Sequence, residues 1–314
     1  MPFQRLKRTS ALELESCDID HFRETERYAG ASSIPLSTGT TAIVRARLGL
    51  PALTLSLVKT FPRVIRGYQL TNAAAIVVPM DQVTSARING QAIGHSVLIL
   101  KGHSDCLVYE PEGRLVAVIY FRPAKKGPWT ELTDGYHLLN PASDELVSLR
   151  RVIATALDTA ANDPGLLADP IARALIEQSV LSTMEAAVRA DTNGAPARSA
   201  TAAYRRIVAD MEEVIQHDPT VLHKATELAQ QTGVSVRTLQ NATQAICGMS
   251  PHRYAQMLRL WAVRQQFRTG SAGLSVKACA MSHGFWHMGD FAATYKAAFG
   301  ELPSQTLHRA MRGG

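Results

Sequence analysis

Two stretches in the last third of this chain repeat one pattern, helix, tight corner, helix, glycine, proline, and few folds accommodate that twice in eighty residues. The first is KATELAQQTGVSVRTLQNATQAICGMSP, residues 224–251. Its opening helix carries Leu228 and Ala229 and runs into Gly233, where a tight corner needs a positive φ that glycine adopts at little cost. Ser235 is a good N-cap for the next helix, since its hydroxyl accepts from a free amide of the first turn. That helix is apolar at Val236, Leu239, Ala242 and Ile246, a spacing of three and four. Gly248 and Pro251 end the unit. The second stretch is SVKACAMSHGFWHMGDFAATYKAAFGELP, residues 275–303. Val276, Cys279 and Ala280 lead to a corner at His283-Gly284. Met288, Phe291, Tyr295 and Ala298 then line one face of a second helix, Gly300 stops it, and Pro303 opens the next segment. The two units are joined by a predicted helix over 254–268.

The faces turned away from these apolar stripes carry the chemistry. The first unit offers Arg237, Thr238, Gln240, Asn241 and Gln244 behind the Ser235 cap. The second offers Trp286, His287, Met288, Gly289, Asp290, Ala293 and Lys296. Such side chains reach base edges and phosphates, and small residues let a helix sit close in a groove. Arg259, on the joining helix, and Lys296 are expected to touch phosphate or brace the helices. The formal net charge is +6, and residues 202–314 alone hold 12 Lys/Arg against 7 Asp/Glu. Most of the excess therefore lies where a polyanion would be met. The expected partner is double-stranded DNA, entered at two successive major grooves about 34 Å apart.

These residues resemble the AraC/XylS family of bacterial transcription regulators. The resemblance rests on Ser235 with Leu239, on Gly248-Met249-Ser250-Pro251, on Arg259-Leu260, on Gly284-Phe285, and on Phe299-Gly300-Glu301-Leu302-Pro303. It covers roughly the last third of the chain, and the run GFWHMGDFAATYKAAFGELPS is closest to the XylS branch. It implies a cytoplasmic DNA-binding regulator, more often an activator, with RNA polymerase as a further partner. It also implies a front domain that senses a small molecule and forms a homodimer. Two positions depart from the family pattern. Thr243 stands where a large aromatic is usual, so the first unit is expected to pack less tightly. Asp290 stands where a basic or polar residue is common; an aspartate cannot hold a phosphate, though it can accept from a cytosine amino group.

Ahead of this region the texture is different. Between 41 and 122, five or more short Val-, Ile- and Leu-rich runs are separated by turn signals, Asn89-Gly90 the clearest of them. They predict a small antiparallel β-barrel or sandwich. Helical spacing follows over 144–160 and over 168–189, where Leu175, Val180, Leu181, Met184 and Ala187 share one side. That stripe either packs on its own sheet or forms a dimer contact. Residues 190–201 are small and polar and predict a linker. The expected class is α+β, with a sensing and dimerisation domain at 1–189 and an all-α double helix-turn-helix domain at 202–314.

Several chemistries lack their residues. Cys17, Cys106, Cys247 and Cys279 have no metal-ligand spacing, and the last two fall on predicted inner helix faces. No apolar run approaches a membrane span and no signal peptide is evident, so no membrane partner is expected. His95 and His103, near Glu110 and Glu112, lack the paired spacing of a barrel metal site, and His103-Ser104-Asp105 is adjacency without triad geometry. Neither catalytic residues, nor a metal, nor a cofactor is expected. The rival reading is an enzymatic or metal-binding barrel with a DNA-binding tail, or a regulator that needs no effector. Arg5, Arg8, Arg45, Arg47, Arg63 and Arg66 are either surface charge or an anion pocket, since arginines bind carboxylate and phosphate bidentately. The pocket would take an organic or aromatic acid, as the XylS branch implies, or a nucleotide such as cyclic di-GMP, since an arginine tail entering a small barrel resembles PilZ domains.

Overall fold

The structure, a computed structural model, describes residues 6–17, 22, 31–36, 43–82, 85–123, 128–190, 199–218, 224–270 and 273–313. Among the described residues, ten strands make one antiparallel sheet. They are β1 (Leu12–Cys17), β2 (Ser32–Pro35), β3 (Ile43–Gly49), β4 (Leu53–Lys59), β5 (Arg63–Pro79), β6 (Arg87–Ile88), β7 (Gln91–Ala92), β8 (Val97–Glu110), β9 (Leu115–Phe121) and β10 (Gly135–Leu139). Their order is β1-β3-β4-β9-β5-β8-β6-β7, with β10 added on β8 and β2 on β5. The end strands β1 and β7 do not pair with each other, so the sheet is rolled rather than closed. The Asn89-Gly90 turn forms as expected, with φ of 48° and 83°, the left-handed values a tight hairpin requires.

The curl comes chiefly from β5. Its register against β8 shifts between Arg66 and Tyr68 and again between Leu70 and Ala74, where Gly67 and Asn72 take positive φ. Such bulges bend a strand and increase its twist. The first half of β5 pairs with β2 and with the far end of β8; the second half pairs with β9 and the near end of β8. Two helices, α1 (Ser143–Asn162) and α2 (Pro170–Arg189), cover one face. Leu149, Ile153, Leu157, Val180 and Met184 pack there on Leu55, Ile76, Ile99 and Ile119. The α2 stripe is thus divided. Val180, Met184 and Ala187 are buried on the sheet, while Leu175 is 66% and Ile171 71% exposed.

The described residues beyond α2 are mostly helical: α3 (Ser199–His217), α4 (Ala225–Gln231), α5 (Val236–Cys247), α6 (Pro251–Arg268), α7 (Val276–Met281), α8 (Met288–Phe299) and α9 (Pro303–Gly313). Helices α4 and α5 form the first helix-turn-helix, and α7 and α8 the second. The fold is therefore α+β, with a β-rich front and a helical back. The helical part has two cores. One joins α3, α4, α5 and the start of α6, and takes in Val64 and Leu107 from the sheet. The other is built from Leu260, Trp261, Val263 and Phe267 of α6 with Phe291, Tyr295 and Phe299 of α8. No helix among the described residues is long and apolar enough to cross a membrane. Most of the expected linker, residues 191–198, lies outside the described residues.

Candidate nucleic-acid interface

Helix α5 is set by its ends. The Ser235 hydroxyl accepts from the Thr238 amide at 3.0 Å, and Gly248 closes the helix at φ 67°, the left-handed cap that glycine favours. Leu239, Ala242, Thr243, Ile246 and Cys247 face the core. The opposite side therefore presents Arg237, Gln240, Asn241 and Gln244, all exposed, at offsets of three, one and three that make one continuous stripe. Thr238 is only partly exposed. Thr243 is fully buried and its hydroxyl donates to the Leu239 carbonyl at 3.0 Å. A small residue is accommodated there because its polar atom is satisfied within the helix.

The second unit repeats the arrangement. Phe291, Tyr295, Ala298 and Phe299 are buried on α8, and the rings of Phe291, Tyr295 and Phe299 pack in sequence at 5.7 and 4.6 Å. Burial pushes the Tyr295 phenol up to about 12. Gly289, Asp290, Ala293 and Lys296 face outward, and Trp286, just before the helix, is 59% exposed. His287 is exposed at the N-cap position. Met288 is half-buried and packs on the second core, so it lies off this surface. Asp290 occupies the first turn of α8, where a negative charge is stabilised by the helix dipole.

Arg259 is expected at phosphate or as a brace, and the structure surrounds it as it would a brace. It is 3% exposed, its guanidinium lies over the Phe285 ring at 5.6 Å, and burial lowers its pKa. It packs at the corner of the second unit, enclosed rather than open to a phosphate. Arg264 has a similar place that the sequence did not reveal. It pairs with Glu301 at 2.9 Å and lies over Phe299 at 4.7 Å.

The face of the sheet turned away from α1 and α2 lines a cavity of about 430 Å³. Ile65, Leu100, Val108 and Val118 supply apolar walls, and Arg45, Arg47, Arg63 and Arg114 supply cations. Arg45 pairs with Glu15 at 2.7 Å and Arg63 with Glu110 at 2.7 Å. Arg114, which sequence reading missed, is 3% exposed, and its Nε has no hydrogen-bond partner among the described residues. Of the six arginines proposed for an anion pocket, the cavity thus gathers Arg45, Arg47 and Arg63. Arg8 is exposed and away from it, Arg66 turns to the other side of the sheet, and Arg5 lies outside the described residues. His95 and His103 are exposed, and Glu110 is committed to Arg63.

The helix-turn-helix domain family matches residues 228–309. The XylDLEGF operon transcriptional activator of Pseudomonas putida is 34% identical over 110 residues, 35% of this chain and 33% of that protein. The probable thc operon regulatory protein of Rhodococcus erythropolis is 34% identical over 103 residues, 32% of this chain and 30% of its own. The chain thus spans about a third of the length of these two curated relatives. A probable AraC family transcriptional regulator from Rhodopseudomonas palustris, of known structure, shares 36% identity over 33% of this chain and 96% of its own, with a TM-score of 0.31. With two helix-turn-helix units on one joining helix, within the residues that the family matches, it is through its C-terminal third that the chain belongs to the AraC/XylS family of transcriptional regulators.

Proposed function

We propose that this protein is a sequence-specific DNA-binding transcription activator gated by a small anionic molecule. One observation carries the reading. Two exposed stripes, Arg237–Gln240–Asn241–Gln244 and Gly289–Ala293–Lys296, sit on helices whose cores are both anchored in α6. A pair so joined is suited to two successive major grooves on one side of a duplex. Residues 202–314 act as the DNA-binding domain, 190–201 as linker and 1–189 as the sensing domain.

The cavity supports the second half of the reading. Its volume falls in the range of small-molecule sites, and a buried arginine without a full set of partners favours an anion. An organic or aromatic acid, or a nucleotide such as cyclic di-GMP, is the proposed effector, with Arg45, Arg47, Arg63 and Arg114 as its contacts. The exposed apolar end of α2, Ile171 and Leu175, supports a homodimer contact. RNA polymerase is the proposed further partner and the cytoplasm the proposed location. The test is a mobility shift on the DNA upstream of the protein's own gene, with and without aromatic acids and cyclic di-GMP. A shift that tightens with one compound is expected. Absence of any shift at low salt would overturn the DNA-binding reading, and a shift indifferent to every compound would overturn the gating.

A further inference from the structure

We infer that Glu212 is the positioning residue of a latch that fastens the first helix-turn-helix unit to the wall of the cavity, so that a change in the cavity reaches α5 before it reaches α8. The inference rests on the proposed function only in treating α5 as a DNA-reading helix.

The wall is one strand thick. On β5, Arg63 and Ile65 line the cavity, while Val64, fully buried, belongs to the core of α3, α4 and α5. Arg66, next along, also faces the helices. On β8 the alternation repeats. Val108 and Glu110 line the cavity, and Leu107 joins the helical core beside Val208, Met211 and Ile246. Tyr109 lies so close to Gly248, the cap of α5, that a Cβ on that glycine would strike its ring. Neighbouring residues on a strand point to opposite faces. One peptide unit therefore separates what touches the cavity from what touches the first unit.

Glu212 of α3 is the centre of the helix side. It is 1% exposed, and its Oε2 lies 2.6 Å from Arg66 Nη2. This contact is an ion pair. The Tyr254 hydroxyl of α6 donates to the other oxygen. Arg205 pairs nearby with Asp105 of β8 at 2.6 Å, and the buried Cys247 thiol completes the surroundings. Sheet, α3 and α6 thus meet at one carboxylate. A buried ion pair adds little net stability, but removing one partner leaves an uncompensated charge, which makes such a pair an effective register pin. Among the described residues the second unit has no equivalent, because its core is drawn from residues at or beyond Leu260 and includes none from the sheet.

Hydrogen exchange on the full chain, read by mass spectrometry, tests this. Arg66→Ala, at the better exposed end of the pair, is expected to speed exchange by roughly tenfold in α3 and α5, with α1, α2, α7 and α8 unchanged. Glu212→Ala, which also removes the acceptor of the Tyr254 hydroxyl, should do the same, and Arg66→Lys should restore most of the protection. Val108→Ala, which enlarges the cavity without touching α3, is expected to loosen α3 and α5 and to spare α7 and α8. Unchanged exchange in Arg66→Ala, equal loosening of both helix-turn-helix units, or a Val108→Ala effect confined to the sheet would each overturn the latch. If wild-type protein fails to bind DNA while these patterns appear, the latch stands and only the role given to α5 falls. If it binds DNA and the patterns fail, the latch alone is lost.

Discussion

Asn241 and Gln244 lie on the exposed side of α5, where their amides are free to pair with base edges rather than to support the fold. Asn241→Ala is expected to cost about 1–3 kcal/mol of binding and to relax preference at one base pair, read by fluorescence anisotropy on a set of singly altered operators, with thermal stability unchanged. Lys296→Ala should behave differently. It should weaken all sequences alike and flatten the dependence of affinity on salt. Arg259→Ala should destabilise rather than alter specificity, because the side chain is packed on Phe285; a thermal melt would show the loss without any DNA present. The exposed stripes were legible because a helix with one apolar face declares the other. Arg259 was not, since α6 packs on two cores and a single helical period cannot say which of several polar positions is enclosed. Arg114 was missed for a related reason. A cavity leaves no period in a sequence, and an arginine at a strand entrance reads as surface charge.

At the scale of elements, the helix ends were the clearest signals. Ser235→Ala is expected to cost about 1 kcal/mol through loss of the N-cap, measured by denaturant unfolding. The glycine corners and stops fell where positive φ was needed. Strand β5 was less legible. Both of its faces are covered in places, by cavity wall on one side and helical core on the other, so its alternation is masked and its bulges are invisible. Helix α3 escaped notice although Val208, Met211 and Ile215, all buried, recur at helical spacing, because it belongs to neither repeated unit. Its Glu212 makes stability depend on pH. Burial, outweighing Arg66, raises the carboxyl pKa above its ordinary value. The folded chain then keeps a proton that the unfolded chain releases, so stability should fall as pH rises from the ordinary carboxylate range through the raised value. Denaturant melts across that window should show the decline in wild type and not in Glu212→Gln.

For the molecule as a whole, the division into a β-rich front and a helical back was readable from texture alone. The contact between them was not, because Val64 and Leu107 look like any other strand residues until a partner is seen. The cysteines offer a test of how tightly the assembly holds. Burial pushes Cys106 and Cys279 up to about 11, and Cys247 is fully buried. These three thiols, one in the sheet and two in the helices, should be nearly inert to a thiol reagent at neutral pH and react together once the protein unfolds. Rapid reaction of Cys247 alone would indicate that the first unit opens by itself. Finally, α6 serves both helical cores without a break, and this constrains how such a chain can change. One residue inserted into α6 would turn the second unit by about 100° and advance it 1.5 Å, while one base pair turns DNA by only about a tenth of a revolution. No single-base-pair insertion in an operator matches that step, so protein and binding site cannot drift in length together, and new targets must be acquired by exchanging side chains on a fixed frame.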